Sequence, residues 1–326
     1  MIKAVRLIFF LIIGGVVATG CSWQDMPLPE VAETVGGCEP APGLAVMTPT
    51  TVSTDPLWVR HNDSSIKILS IGNSFTSNAT AFLPYLFNKL NADSICIAVL
   101  ANPGCSLRRH WANHVDNREV YSLMFSDAGE WKESSITTID EAIHVLDWDI
   151  ITFQQDSGNS GDYSTYQPHV ENLTELCRNA NPDATMAWHL TWSYTSDCSY
   201  EEFSRYDYDS KKMYDAIMDA GTKISAYFDL TVNSADLIKK LRETFPEVKD
   251  GFSSDGRHVS DETAQYALSS LCYEVLVTPE TGISSLWRSD LPEEVNAGIM
   301  HKADSIIVNI LENPIEAGSN SVPMLH

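Results

Sequence analysis

Five short stretches of this chain are almost continuously apolar, and each is closed by small or polar residues. They cover residues 66–71, 94–100, 148–154, 185–190 and 228–232. Such runs suit strands buried on both faces of a parallel sheet. Between them, apolar positions recur at three and four residues, as in Phe82, Leu83, Leu86, Phe87 and Leu90, which marks one face of a helix. The same periodicity predicts helices over 138–146, 168–178, 208–226, 235–244, 260–277 and 292–312. Strand and helix in alternation predict an α/β fold: a three-layer α/β/α sandwich around a central, mostly parallel, five-stranded sheet. The segment 108–135, rich in Trp, His and charge, reads as an insertion over the functional face. In such folds ligands bind beyond the carboxyl ends of the strands. Ser74, Gly104, Gln155 and Trp192 all follow strands and should meet at that edge.

The beginning of the chain carries a different signal. Lys3 and Arg6 precede an apolar run over 7–18, which ends in Ala18-Thr19-Gly20-Cys21. A positive start, a short apolar core and small residues are the parts of an export signal. The tetrapeptide resembles a bacterial lipobox, which implies lipidation of Cys21. The expected organisation is a lipoprotein signal peptide over 1–20, a flexible tether over 21–63 and one domain over 64–326. That places the protein outside the cytoplasm, lipid-anchored to a bacterial outer membrane. No second run reaches membrane-spanning length, so the anchor is expected to be the lipid alone.

The formal net charge is -23. Such acidity disfavours nucleic acids and anionic membrane surfaces as partners. Six cysteines follow Cys21, with no close-spaced pair of the metal-binding kind. Export permits disulfides, but spacing does not choose among the pairings.

Two polar signals carry the candidate chemistry. Gly72-Asn73-Ser74-Phe75 interrupts the first strand, where small residues allow a sharp turn that lifts a hydroxyl clear. Ser74 could equally cap the following helix. Asp255-Gly-Arg-His258 stands just before a helix, so the carboxylate can orient the ring. Hydroxyl, imidazole and carboxylate together are the set that serine hydrolysis requires. Asp250 is a second acid near His258 with less apt spacing. His189 and His144 fall inside predicted elements and read as structural.

These two motifs resemble the end blocks of the SGNH (GDSL-like) hydrolase superfamily, whose flavodoxin-like sandwich matches the predicted pattern. The resemblance spans about residues 66–277. It implies Ser74 as nucleophile, His258 as base and Asp255 as its partner. It also implies an oxyanion hole that includes the Gly104 amide. The family's third block is usually Gly-x-Asn-Asp, whereas this chain has Phe153-Gln154-Gln155-Asp156-Ser157. The asparagine's role passes to Gln155, with Gln154 as the competing choice. More narrowly, the chain resembles an uncharacterised branch of exported Bacteroidetes lipoproteins. Ile71-Gly-Asn-Ser-Phe75, Gln154-Gln155 and Trp188-His-Leu-Thr-Trp192 carry that likeness.

The resemblance implies hydrolysis of an acyl ester, an acetyl group on a carbohydrate or glycan being the favoured substrate. Asn73, Trp111, Trp188, Trp192 and Tyr194 are the candidate substrate contacts, since rim aromatics can stack on sugar faces. The chemistry calls for no metal and no organic cofactor, and a monomer is expected. Two alternatives stay open: a small-acyl lipase or thioesterase, and a non-catalytic glycan-binding surface lipoprotein.

Overall fold

A computed structural model describes residues 64–315, apart from 93 and 128. The signal peptide, Cys21, the tether and Cys38 lie outside the described residues. Among those residues no helix is long and apolar enough to cross a membrane.

Seven strands form one sheet in the order β4-β3-β2-β1-β5-β6-β7. β1 (Ile66–Gly72), β2 (Ile95–Ala101), β5 (Ile150–Phe153), β6 (Thr185–Leu190) and β7 (Leu230–Asn233) run parallel. These are the five expected strands. Their side chains are almost wholly buried, which explains why they read as unbroken apolar runs.

The segment expected to cover the functional face does something else. It folds into α3 (Leu107–Val115) and the hairpin of β3 (Tyr121–Asp127) and β4 (Glu130–Thr137). That hairpin pairs antiparallel with β2 and extends the sheet sideways. The antiparallel addition needs no apolar run on both faces, so β4 could carry the polar sequence Glu-Trp-Lys-Glu-Ser-Ser-Ile-Thr.

Helices cover both faces. α1 (Ser74–Thr80), α7 (Ser234–Thr244), α8 (Glu262–Leu276) and α10 (Ala297–Glu312) belong to one packed group. α3, α4 (Ile139–His144) and α5 (His169–Ala180) form another. α2 (Leu83–Lys89), α6 (Ser210–Ile224) and the short α9 (Thr278–Thr281) complete the set. Cys96, Cys105, Cys177, Cys198 and Cys272 are buried free thiols within this core.

The strand order reverses at β1, which has β2 on one side and β5 on the other. A reversal of this kind opens a crevice beyond the carboxyl end of the central strand. Ser74 stands at that point.

Candidate active site

β1 ends at Gly72 because nothing larger fits. A Cβ there would lie 2.0 Å from Thr76 Oγ1. The chain therefore turns straight from strand into α1, with Asn73 as its N-cap. The Asn73 side chain accepts from the Phe75 amide at 3.0 Å. Ser74 is thus the first residue of the helix, and its amide has no intrahelical acceptor.

The second motif folds just as locally. Asp255 Oδ1 accepts from the amides of Arg257 at 2.9 Å and His258 at 2.7 Å. Asp255 Oδ2 meets His258 Nδ1 at 2.7 Å. Gly256 makes the turn possible with a φ of +76°, and a Cβ there would lie 2.9 Å from the Cys198 Cα. α8 then starts from Asp261, which caps the Ala264 amide; Ser260, the expected cap, accepts from the Ser254 amide instead.

The structure brings the two motifs together: Ser74 Oγ lies 2.8 Å from His258 Nε2. Asp255, and not Asp250, is the carboxylate on the ring. A carboxylate can only accept, so Nδ1 of a neutral His258 carries the proton and the Nε2 lone pair faces Ser74. Burial by itself would raise the Asp255 carboxyl. Hydrogen bonds from the His258 ring and the His258 and Arg257 amides, with the charge of His258, outweigh it and hold Asp255 well below the usual carboxylate range.

Gly104 sits in the loop after β2 with a φ of +61°, exposed and with open space on its Cβ side. Asn73 Nδ2 donates to the Cys105 carbonyl at 3.2 Å and so ties that loop to the turn carrying Ser74. Among the described residues the Ser74 and Gly104 amides have no protein acceptor, which leaves two donors at the mouth of the crevice.

Gln155 does not join them. It is buried, and its Nε2 donates to Thr165 O and Thr165 Oγ1 at 3.3 and 3.1 Å. Its Oε1 accepts from the Leu107 and Asp156 amides. Its Nε2 is committed to Thr165 within the 154–165 loop and its Oε1 ties that loop to α3, so the side chain is turned away from an oxyanion role. Gln154 is bonded inward as well. Its Nε2 donates to Asn73 Oδ1 at 2.6 Å, and its Oε1 accepts from Thr76 Oγ1 at 2.6 Å. His189 Nδ1 meets the same Oε1 at 3.1 Å, while its Nε2 meets Ser234 Oγ at 2.9 Å. Burial pushes the His189 imidazole down to about 4. A buried polar chain therefore runs from Ser234 to the cap of the nucleophile helix.

The aromatic residues expected at the rim are also inside. Trp188, Trp192 and Tyr194 are fully buried and cannot stack on a substrate. Trp188 packs between Tyr166 and Phe228. Tyr194 bonds Ser157 Oγ at 2.8 Å. Trp192 stacks on Phe75 with centroids 4.4 Å apart and donates Nε1 to the Arg257 carbonyl at 2.9 Å. It thereby links the residue after Ser74 to the residue before His258. Asn73 is likewise buried in structural bonds and is not a substrate contact. Of the four aromatics only Trp111, on α3, keeps partial exposure. The roles of Gly256, Gln154 and Trp192 went unread in the sequence, although Asp-Gly before a catalytic-type histidine is a turn signal that pointed to Gly256.

Residues 67–299 match the family model described as DUF4886, a domain of unknown function. Among solved structures, a DUF4886 family protein from Bacteroides uniformis superposes with a TM-score of 0.70 at 26% identity, covering 78% of this chain and 98% of that one. A GDSL-like lipase from Parabacteroides merdae gives a TM-score of 0.42 at 12% identity, over 65% of this chain and 95% of that one. An acetylxylan esterase from Geobacillus stearothermophilus gives 0.41 at 11% identity, over 73% and 99%. No curated protein matches the sequence.

Proposed function

On the premise that this chain belongs to the DUF4886 family, we propose that it is an ester hydrolase with Ser74 as nucleophile. The observation that carries the reading is the continuous line from Ser74 Oγ through both nitrogens of His258 to Asp255. In this reading His258 Nε2 takes the Ser74 proton as Oγ attacks the ester carbonyl. Asp255 keeps the ring in the required tautomer and stabilises the imidazolium. The Ser74 and Gly104 amides receive the oxyanion. His258 then returns the proton to the departing alcohol, and water repeats the sequence on the acyl-enzyme.

The favoured substrate is an acetyl ester on a carbohydrate. Among the described residues, no exposed large aliphatic side chain lies in the loops carrying Ser74, Gly104 and His258. A long acyl chain would find no apolar support there, which speaks against a lipase. The lipobox-like Ala18-Thr19-Gly20-Cys21 extends the proposal to an exported, lipid-anchored enzyme. The test is acetate release from defined O-acetylated glycans, wild type against Ser74→Ala. Release by the wild type and none by the variant is expected; equal release by both would refute the serine mechanism.

A further inference from the structure

Arg257 lies between Asp255 and His258, and the mechanism leaves its side chain without a task. Its backbone is held on both sides, by Asp255 through the amide and by Trp192 through the carbonyl. Its guanidinium lies 3.9 Å from the ring centroid of Tyr200, in the loop after β6. Its Nε is buried and donates to nothing. Among the described residues the guanidinium forms no ion pair. Other arginines have at least one partner for the guanidinium: Arg118 pairs with Asp116, Arg288 with Asp290, and Arg242 donates to the Gly251 and Ser193 carbonyls, although Arg242 Nη2 and Arg288 Nε are also buried without a partner. In a chain with 44 acidic residues against 21 basic ones, a half-buried arginine without an acid is unexpected.

Two more unpaired arginines stand nearby in the fold. Arg108 and Arg109 are exposed in the first turn of α3, which follows the Gly104 loop. Cations are disfavoured at a helix N-terminus, and α3 has no acid in that turn to offset them. A local choice that opposes helix stability is expected where function requires it. Three cations without an ion pair among the described residues thus follow the Gly104 loop or stand within the turn from Asp255 to His258, on a molecule that is otherwise strongly acidic.

We propose that Arg257, next to His258 in sequence and with its guanidinium over the Tyr200 ring, determines specificity by binding an oxyanion on the substrate, a carboxylate or a sulfate carried close to the scissile ester. The proposal rests on the esterase reading above and narrows its substrate to acidic acylated carbohydrates. A guanidinium is a planar fork suited to two parallel hydrogen bonds with such a group, and the contact with the Tyr200 ring restricts its motion in advance. Arg108 and Arg109 add a local positive field that draws the anion in against the charge of the whole chain.

The experiment compares kcat/KM on three matched substrates: an O-acetylated glucuronate, an O-acetylated sulfated hexosamine, and the uncharged O-acetyl methyl glycoside. Wild type should prefer at least one anionic substrate roughly tenfold, mainly through KM, and the preference should shrink at high salt. Arg257→Gln should bring the ratio close to one, and Arg257→Lys should restore part of it. The carboxylate and sulfate arms identify which group is read. Turnover of the neutral ester with no anionic preference overturns the inference while the esterase reading stands. An equal loss on all three substrates in Arg257→Gln also overturns it, because it marks a structural role in the His258 turn. No turnover of any of the three, with Ser74 unreactive toward a fluorophosphonate, defeats both.

Discussion

Ser74 Oγ stands 2.8 Å from His258 Nε2, although 184 residues separate the two in sequence. The contact is made by two rigid local turns, each set by a glycine and a side-chain cap, at the point where the strand order reverses. Neither turn depends on a long flexible loop, so the pair is preorganised by the fold.

The Gly256 turn should be intolerant of any side chain. Gly256→Ala must hold a positive φ and bring its methyl within 2.9 Å of the Cys198 backbone. Backbone strain alone costs roughly 1–3 kcal/mol. Ester turnover and thermal midpoint should fall together; an unchanged midpoint would show that the 195–198 loop yields freely.

Trp192→Phe should separate packing from positioning. The stack on Phe75 can survive, but the bond to the Arg257 carbonyl is lost. One such bond is worth about 0.5–1.5 kcal/mol. A kcat reduced about threefold to tenfold, with an intact fold by near-UV circular dichroism, is expected. Wild-type kcat in this variant would show that Trp192 does not position the His258 turn.

The parallel core and the triad were legible from residue order because both rest on local rules. Buried parallel strands have to be apolar on both faces, and Asp255 reaches His258 within one turn. The β3–β4 hairpin is not legible, because its strands mix polar, charged and aromatic residues, and the segment reads as an insertion over the functional face. The middle of the site was misread for a different reason. Gln155, Trp188, Trp192 and Tyr194 lie in or after strands that lead to the crevice, so their order in the sequence predicts that they face it. Sequence order places a residue at that edge but does not say whether its side chain turns outward. Here the amide of Gln155 finds Thr165, and the three rings find Tyr166, Phe75 and Ser157.

Gln154 holds three partners in the buried layer beneath the Ser74 turn. Gln154→Ala strands Thr76 Oγ1 and His189 Nδ1, each at a cost of about 1–3 kcal/mol unless water enters, and takes one of two donors from Asn73 Oδ1. Urea unfolding should show a loss of at least about 2 kcal/mol, together with reduced turnover. A change within about 0.5 kcal/mol, the range typical of surface positions, would contradict the proposed network.

His189 gives the network a pH signature. Its imidazole titrates at about 4 in the fold against an ordinary 6.5, because burial disfavours the charged ring. The unfolded chain binds the extra proton first, so this contribution to stability is complete above the unfolded value. It is lost as pH falls from 6.5 toward 4. His189→Gln should remove a slope of up to about 1.4 kcal/mol per pH unit in that window. Identical slopes for wild type and variant would place His189 in contact with solvent.

The central claim is that Ser74 is a nucleophile activated by His258, and covalent labelling tests it most directly. The protein is treated with a fluorophosphonate at neutral pH, and the adduct is mapped by peptide mass spectrometry. One equivalent on Ser74 is expected, with none in Ser74→Ala and a rate roughly 100-fold or more lower in His258→Ala. An adduct on another residue, or no adduct on correctly folded protein, would contradict the account.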